Sequence, residues 1–171
     1  MTSEHPYAAL LKKYEDLSNR HDIEACVAMF ADDGMIVSGD DTYTGIAALR
    51  AAHEYDDGSQ TLVEFRDFEI DGDLVRCTFW NEHELSRALG SDGMTGKAEF
   101  TIRDDHIYKF NILPPQDAER KRVMEKIAPA FTWLRENHPE AVAKWKGFDR
   151  SAGEAVFALA ELWRKHQQET A

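Results

Sequence analysis

The stretch TLVEFRDFEIDGDLVRCTFWNEHELSR, Thr61–Arg87, decides the fold. Its apolar residues alternate with polar ones instead of recurring every three or four positions, which marks extended chain. Thr61 to Ile70 reads as one strand and Leu74 to about Arg87 as a second. Asp71-Gly72 between them favours a tight hairpin turn. Moving forward, Gly90-Ser91-Asp92-Gly93 turns the chain and Met94 to Arg103 forms a third strand. Asp104-Asp105 turns it again into a fourth, His106 to Leu113. Long strands joined by short turns make an antiparallel meander.

Moving backward from Thr61, the period is helical. Tyr7, Leu10, Leu11, Tyr14 and Leu17 share one helical face. Asp22 caps a second helix with the stripe Ile23, Cys26, Val27 and Phe30; Gly34, after Asp32-Asp33, stops it. Met35 to Ser38 is a short strand and Asp40-Asp41 a solvated turn. Thr44 caps a third helix with Ile46, Leu49 and His53 on one face, and Asp57-Gly58-Ser59 ends it. Helices followed by a meander define the α+β class: three N-terminal helices packed on a strongly curved, mixed or antiparallel sheet. Beyond Pro114-Pro115 the chain turns helical again. Ala118 to about Glu136 is one segment, interrupted at Pro129, and Pro139 to Trp145 is another. Asp149 or Ser151 caps a last helix with the stripe Val156, Leu159, Ala160 and Trp163. Residues 1–115 are expected to form an α+β barrel. Residues 116–171 are expected to form a helical extension that packs on the barrel or on a partner chain.

Charge divides the chain at the same point. The net charge is −12 over 171 residues. Residues 116–171 hold 10 Lys and Arg against 9 Asp and Glu, which leaves 10 against 23 in residues 1–115. So acidic a body argues against nucleic acid or an anionic membrane as partner, since both require a basic footprint. No apolar run approaches the roughly 20 residues that span a bilayer. The opening MTSEHPYAAL has neither the basic nor the apolar region of a secretory leader. Cys26 and Cys77 suggest no disulfide framework, and a reducing cytoplasm is the expected compartment. The histidines show no metal-ligand spacing and no glycine-rich phosphate loop is present, so neither metal nor cofactor is expected.

The FADDG phrase at Phe30–Gly34 leading into a strand, between two helices and a third, and the curled meander that follows, resemble the nuclear transport factor 2-like (SnoaL-like) superfamily. KYEDLSNRHDIEACVAMFADDG, Lys13–Gly34, is similar to its opening, and TYTGIAALRAA, Thr42–Ala52, to its third-helix entry. EIDGDLVRCTFW, Glu69–Trp80, and FTIRDDHIYKF, Phe100–Phe110, are similar to its sheet hairpins. The resemblance covers about residues 5–113. It implies a cystatin-like cone with a pocket for a small hydrophobic molecule, and a homodimer. It does not fix function, because the superfamily includes isomerases, dehydratases, cyclases, epoxide hydrolases and non-catalytic carriers. Among the steroid isomerases, the oxyanion-hole tyrosine falls at Tyr14 and its supporting tyrosine at His53. Their aspartate base falls at Ser38 and their protonated aspartic acid at Ala98, so both carboxyls are missing. The His and Asp of a polyketide-cyclase-like member fall at Phe110 and Ile112.

Strand alternation places Val75, Cys77 and Phe79 inward, continuing to Asn81 and His83. Ala98, Phe100 and Ile102 follow on the next strand. The resemblance sets Tyr108, Phe110 and Ile112 inward on the last. The candidate catalytic residues are Tyr14, His53 and His83. Tyr14 and His53 would form an acid–base or oxyanion pair, or else a core tyrosine whose hydroxyl the histidine satisfies. His83 with Asn81 would position a carbonyl or a water, or else lie on an exposed rim. The candidate substrate-binding residues are Ser38, Phe79, Asn81, Met94, Tyr108, Phe110 and Ile112. The expected function is cofactor-independent proton transfer on a small hydrophobic substrate. The alternative is a ligand-binding or dimerisation module without chemistry. The extension is expected to lid the mouth or enlarge a dimer interface.

Overall fold

The structure, a computed structural model, describes residues 5–171. The first part of the opening read against a leader, residues 1–4, lies outside them. In chain order the elements are α1 (Pro6–Asn19), α2 (Ile23–Ala28), β1 (Phe30–Ser38), β2 (Asp41–Thr44), α3 (Ile46–Ser59), β3 (Leu62–Asp71), β4 (Leu74–Glu82), α4 (Glu84–Ala88), β5 (Met94–Arg103), β6 (His106–Ile112), α5 (Asp117–Asn137), α6 (Pro139–Ala143) and α7 (Arg150–Thr170). The class is α+β, as the change of period at Thr61 implies.

The strands form one sheet in the order β2-β1-β6-β5-β4-β3. Only the β1–β6 pairing is parallel, which makes the sheet mixed. Register shifts fall in β3 between Arg66 and Glu69, and in β1 between Phe30 and Met35. A third falls where β6 inserts a residue opposite Thr101 and Ile102. Such bulges bend a strand and raise its twist, and here they accompany a sheet that wraps a concave face around α1. That face is aromatic: Phe65, Phe79, Phe100 and Phe110 are buried with Tyr14 and Phe30.

Several local expectations are corrected. The second helix stops at Ala28, and Phe30 to Gly34 belong to β1. Gly34 is therefore a strand residue. A Cβ there would meet the Ala31 carbonyl oxygen at 2.8 Å, so the bulged strand excludes a side chain. Asp32 and Asp33 are exposed on that strand, Asp33 paired with Arg103. The turn precedes Asp41, and Asp41–Thr44 form β2, where the sequence implies a turn and a helix cap. Gly45 takes the N-cap position expected of Thr44. The second long strand ends at Glu82, not Arg87. His83 stops it by capping α4: its Nδ1 accepts from the Ser86 N–H at 3.1 Å, and the Ser86 Oγ accepts from the His83 N–H at 3.0 Å. α5 runs unbroken through Pro129. Ala130 and Leu134 beyond the proline are buried with Val156 and Leu159 of α7, and this packing outweighs the lost hydrogen bond.

Helix α7 is capped by Asp149, whose Oδ1 accepts from the Ala152 N–H at 3.0 Å. It lies directly on α3. α3 ends at Ser59, as Asp57-Gly58-Ser59 implies, and Gly58 in its last turn faces Gly153 and Glu154 of α7. A Cβ on Gly153 would stand 2.3 Å from the Tyr55 carbonyl oxygen, and one on Gly58 would stand 2.9 Å from the Glu154 nitrogen. The two glycines let the helix backbones touch. Val156, Leu159 and Ala160 of the apolar stripe are buried, with Trp163 packed at their edge. No helix is long and apolar enough to cross a membrane.

Candidate functional site

The concave face encloses a cavity of about 220 Å³. Its floor holds Tyr14, and its walls include Ile36, Val63, Phe65, Phe79, Phe110 and Ile112. Ser38, Asn81 and His83 stand nearer the mouth. Phe148, which precedes α7, closes one side against Tyr43 and Tyr55, with ring centroids 5.0 and 4.6 Å away.

Tyr14 and His53 come together. The Tyr14 hydroxyl lies 2.9 Å from His53 Nε2, and both residues are 3% exposed. His53 Nδ1 lies 2.7 Å from the Leu49 carbonyl oxygen four residues back in α3. A nitrogen facing a carbonyl must carry the proton. Burial lowers the His53 pKa, favouring the neutral ring. Nε2 is then the bare nitrogen and accepts the Tyr14 proton. The pair is closed: each polar atom is satisfied within the protein, and the Tyr14 O–H points away from any ligand. His53 is hidden behind Tyr14 and does not line the cavity. Burial also raises the Tyr14 pKa well above the phenol value.

His83 differs. Its Nδ1 is used as an acceptor by the α4 cap, so the neutral ring carries its proton on Nε2. That N–H has no acceptor among the described residues, and the side chain lines the cavity. Burial, with Arg87 nearby, pushes its pKa down to about 4. At neutral pH His83 is therefore an uncharged N–H donor facing open volume. Trp145 stands edge-on to its ring at 5.8 Å.

A carboxyl that sequence reasoning did not single out completes the site. Asp56 lines the cavity together with Thr61. Burial pushes its pKa up to about 7, and a hydrogen bond with the Thr61 side chain holds it partly down. The missing strand carboxylates thus have a counterpart on α3. A signal was present: Leu49, His53 and Asp56 follow helical spacing, which sets an acid on the face that carries the core. Tyr55 and Phe148 are further lining residues that sequence reasoning missed.

Two expected lining residues lie elsewhere. Tyr108 is the residue inserted by the β6 bulge. The insertion turns Ile107 inward, fully buried, and leaves Tyr108 under the Arg103 guanidinium, 4.1 Å from the ring centroid. Met94 keeps its inward parity, but β5 there runs past the barrel and beneath α5, so Met94 faces a separate space. Among the described residues no group of three His, Cys, Asp or Glu side chains is placed to hold a metal ion. Glu82 and Glu84 both turn to Arg87, at 3.1 and 2.9 Å.

No family model and no curated protein matches the chain. Solved structures do. The chain is similar to SalBIII, an epoxide hydrolase/cyclase-like enzyme in pyran ring formation of the polyether salinomycin. Identity is 18% over 66% of this chain and 92% of that one, with a TM-score of 0.56. It is similar to a putative polyketide cyclase from Sinorhizobium meliloti, 18% identical over 64% of this chain and all of that one, TM-score 0.55. A nuclear transport factor 2-like protein of unknown function from Cytophaga hutchinsonii is 7% identical over 66% of this chain and 93% of that one, TM-score 0.52. At these identities the likeness concerns architecture: the chain has the nuclear transport factor 2-like, SnoaL-like fold, with α5–α7 following its α+β cone.

Proposed function

We propose that the barrel cavity is the active site of a cofactor-independent enzyme that moves a proton on a small, mostly apolar carbonyl compound. This is the reaction class of isomerases, dehydratases and cyclases. One observation carries it: a carboxyl with a pKa of about 7 opens into an apolar cavity that also holds an uncharged histidine N–H. A base poised near the working pH is what proton abstraction from carbon requires. The Asp56 carboxylate would remove the proton next to the carbonyl. His83 Nε2–H, assisted by the Asn81 amide, would donate to the carbonyl oxygen as it gains charge. The protonated Asp56 would then return the proton to another atom of the substrate. The aromatic walls would lower the local dielectric and so strengthen both interactions.

The test uses 2-pentanone in deuterium oxide, with loss of its α-proton signals followed by NMR. Exchange above the buffer rate that disappears in Asp56→Asn supports the proposal. The second reading is a site that holds a ligand without turnover. It is favoured by the closed Tyr14–His53 pair, which leaves the position of the relatives' oxyanion donor without a free proton. Binding of 2-pentanone with exchange no faster than in Asp56→Asn would establish that reading instead.

A further inference from the structure

A second apolar space lies under the extension. It is a half-open groove of about 250 Å³ between the end of β4, α4 and α5, walled by Leu85, Leu89, Val123, Ile127, Phe131 and Trp145. Apart from Asn81 and His83, its polar neighbours are occupied. Glu82 is paired with Arg87, the Ser86 hydroxyl donates to the His83 carbonyl at 2.7 Å, and the Ser91 Oγ accepts from the Gly93 N–H at 3.2 Å. Nothing along these walls asks for a polar ligand.

The space adjoins the barrel cavity. Asn81 and His83 line both it and the barrel cavity. Met94, the cross-strand partner of Asn81, lines only the second space. The inner face of the sheet thus passes from Phe79 in the barrel, through Asn81, to Met94 under α5. The polar groups sit at the junction, and apolar surface extends to either side.

We propose that both spaces hold one ligand, a medium-chain aliphatic carbonyl compound with its carbonyl between Asp56 and His83 and a straight alkyl tail under α5. The proposal rests on reading the barrel cavity as a small-molecule site. An apolar cavity of about 150 Å³ accommodates benzene, so the second space takes roughly ten tail carbons. Each methylene transferred there from water tightens binding about fourfold. The barrel sets the reacting group, and the extension sets the chain length.

The experiment measures dissociation constants of straight-chain 2-alkanones, from 2-butanone to 2-tridecanone, on the full chain by calorimetry. The expected result is a fall of about fourfold per added methylene that levels off once the second space is full. In Ile127→Trp, which fills that space, the gain of 2-tridecanone over 2-butanone should shrink at least tenfold; Val123→Phe serves if the tryptophan is not tolerated. Affinity independent of chain length overturns the inference, as does an equal gain in the filled variants or a failure of every ketone to bind. The two proposals fail separately. Asp56-dependent exchange of 2-pentanone without a chain-length effect leaves the proton-transfer reading and removes this one. A chain-length effect without exchange does the reverse.

Discussion

Two histidines, His53 behind the floor of the cavity and His83 at its mouth, meet the same pressure and answer it differently. Burial lowers both pKa values. His53 uses both nitrogens, one toward Leu49 and one toward Tyr14. His83 uses one, in the α4 cap, and leaves the other facing the cavity. A buried polar group with every partner in place builds structure; a half-buried N–H open to the cavity stays available to water or to a ligand. By that criterion the floor is scaffold and the mouth, with Asp56, is where chemistry belongs.

The sharpest way to break this contrast is Asp56→Asn, which should lower 2-pentanone exchange by about 10²–10⁴-fold, the usual worth of a positioned base. Its pH profile has a fixed sign. The carboxylate is the active form, so the wild-type rate should rise with pH through about 7 and then level. His83, neutral above about 4, should add no limb in that range. A rate that falls as pH rises through 7 would assign the essential group to an acid instead.

His83→Asn comes next. Asparagine is a favoured N-cap, so α4 keeps its cap while the Nε2–H is withdrawn. Exchange should drop about 10²–10³-fold, as on removal of an oxyanion donor, with little change in melting temperature. A loss of stability without loss of exchange would make His83 only a cap.

Asp56 also couples function to stability. Its pKa rises from 3.8 to about 7 on folding, so the protonated acid is the form that suits the fold. Its favourable contribution is complete below about pH 4 and is lost as pH rises through 7. The forgone stability is at most about 4 kcal/mol. His83 has the opposite sign: its folded pKa lies below the unfolded value, so its contribution is lost as pH falls from 6.5 toward 4. Comparing wild type with Asp56→Asn by urea unfolding cancels the His83 effect. The variant should be the more stable at pH 8, and the gap should close toward pH 4. A gap independent of pH would mean that Asp56 is not strained by burial.

What the sequence discloses follows from what is local. The helices and the meander show because each reads out its own spacing, and the core phenylalanines show because alternation holds along an unbroken strand. Tyr108 is misplaced because one inserted residue reverses that alternation, and a bulge leaves no strong mark in a strand of ordinary composition. β2 hides because Asp41–Thr44 looks like a turn and a cap. Tyr14 and His53 are legible as neighbours, yet which of them donates depends on the Leu49 carbonyl, a backbone atom. Asp56 is overlooked because Asp57-Gly58-Ser59 reads as a helix end. Gly58 in that last turn also lets α7 press on α3, a contact across more than 90 residues of chain.

That contact gives the next prediction. In an ordinary helix interior Gly→Ala gains about 1 kcal/mol. Gly153→Ala should instead cost about 3 kcal/mol, because the new methyl meets a carbonyl oxygen on α3 and the helices must part. Since α3 carries Asp56 and Phe148 leads into α7, the same change should weaken 2-pentanone binding. Stabilisation would show that the helices are not in backbone contact.

The smallest effect is expected where the resemblance places the catalytic tyrosine. Tyr14→Phe removes a hydroxyl whose proton is already committed to His53. It leaves the bare Nε2 of His53 buried without a donor, at a cost of about 1–2 kcal/mol in stability. Exchange of 2-pentanone should stay near the wild-type rate. Replacing both partners, Tyr14→Phe with His53→Leu, should recover much of the stability, because a buried pair removed together leaves nothing unpaired. If Tyr14→Phe instead abolished exchange at unchanged stability, the Tyr14 proton would have to turn from His53 to the ligand during reaction. The floor would then be part of the chemistry, and the closed pair would be its resting state.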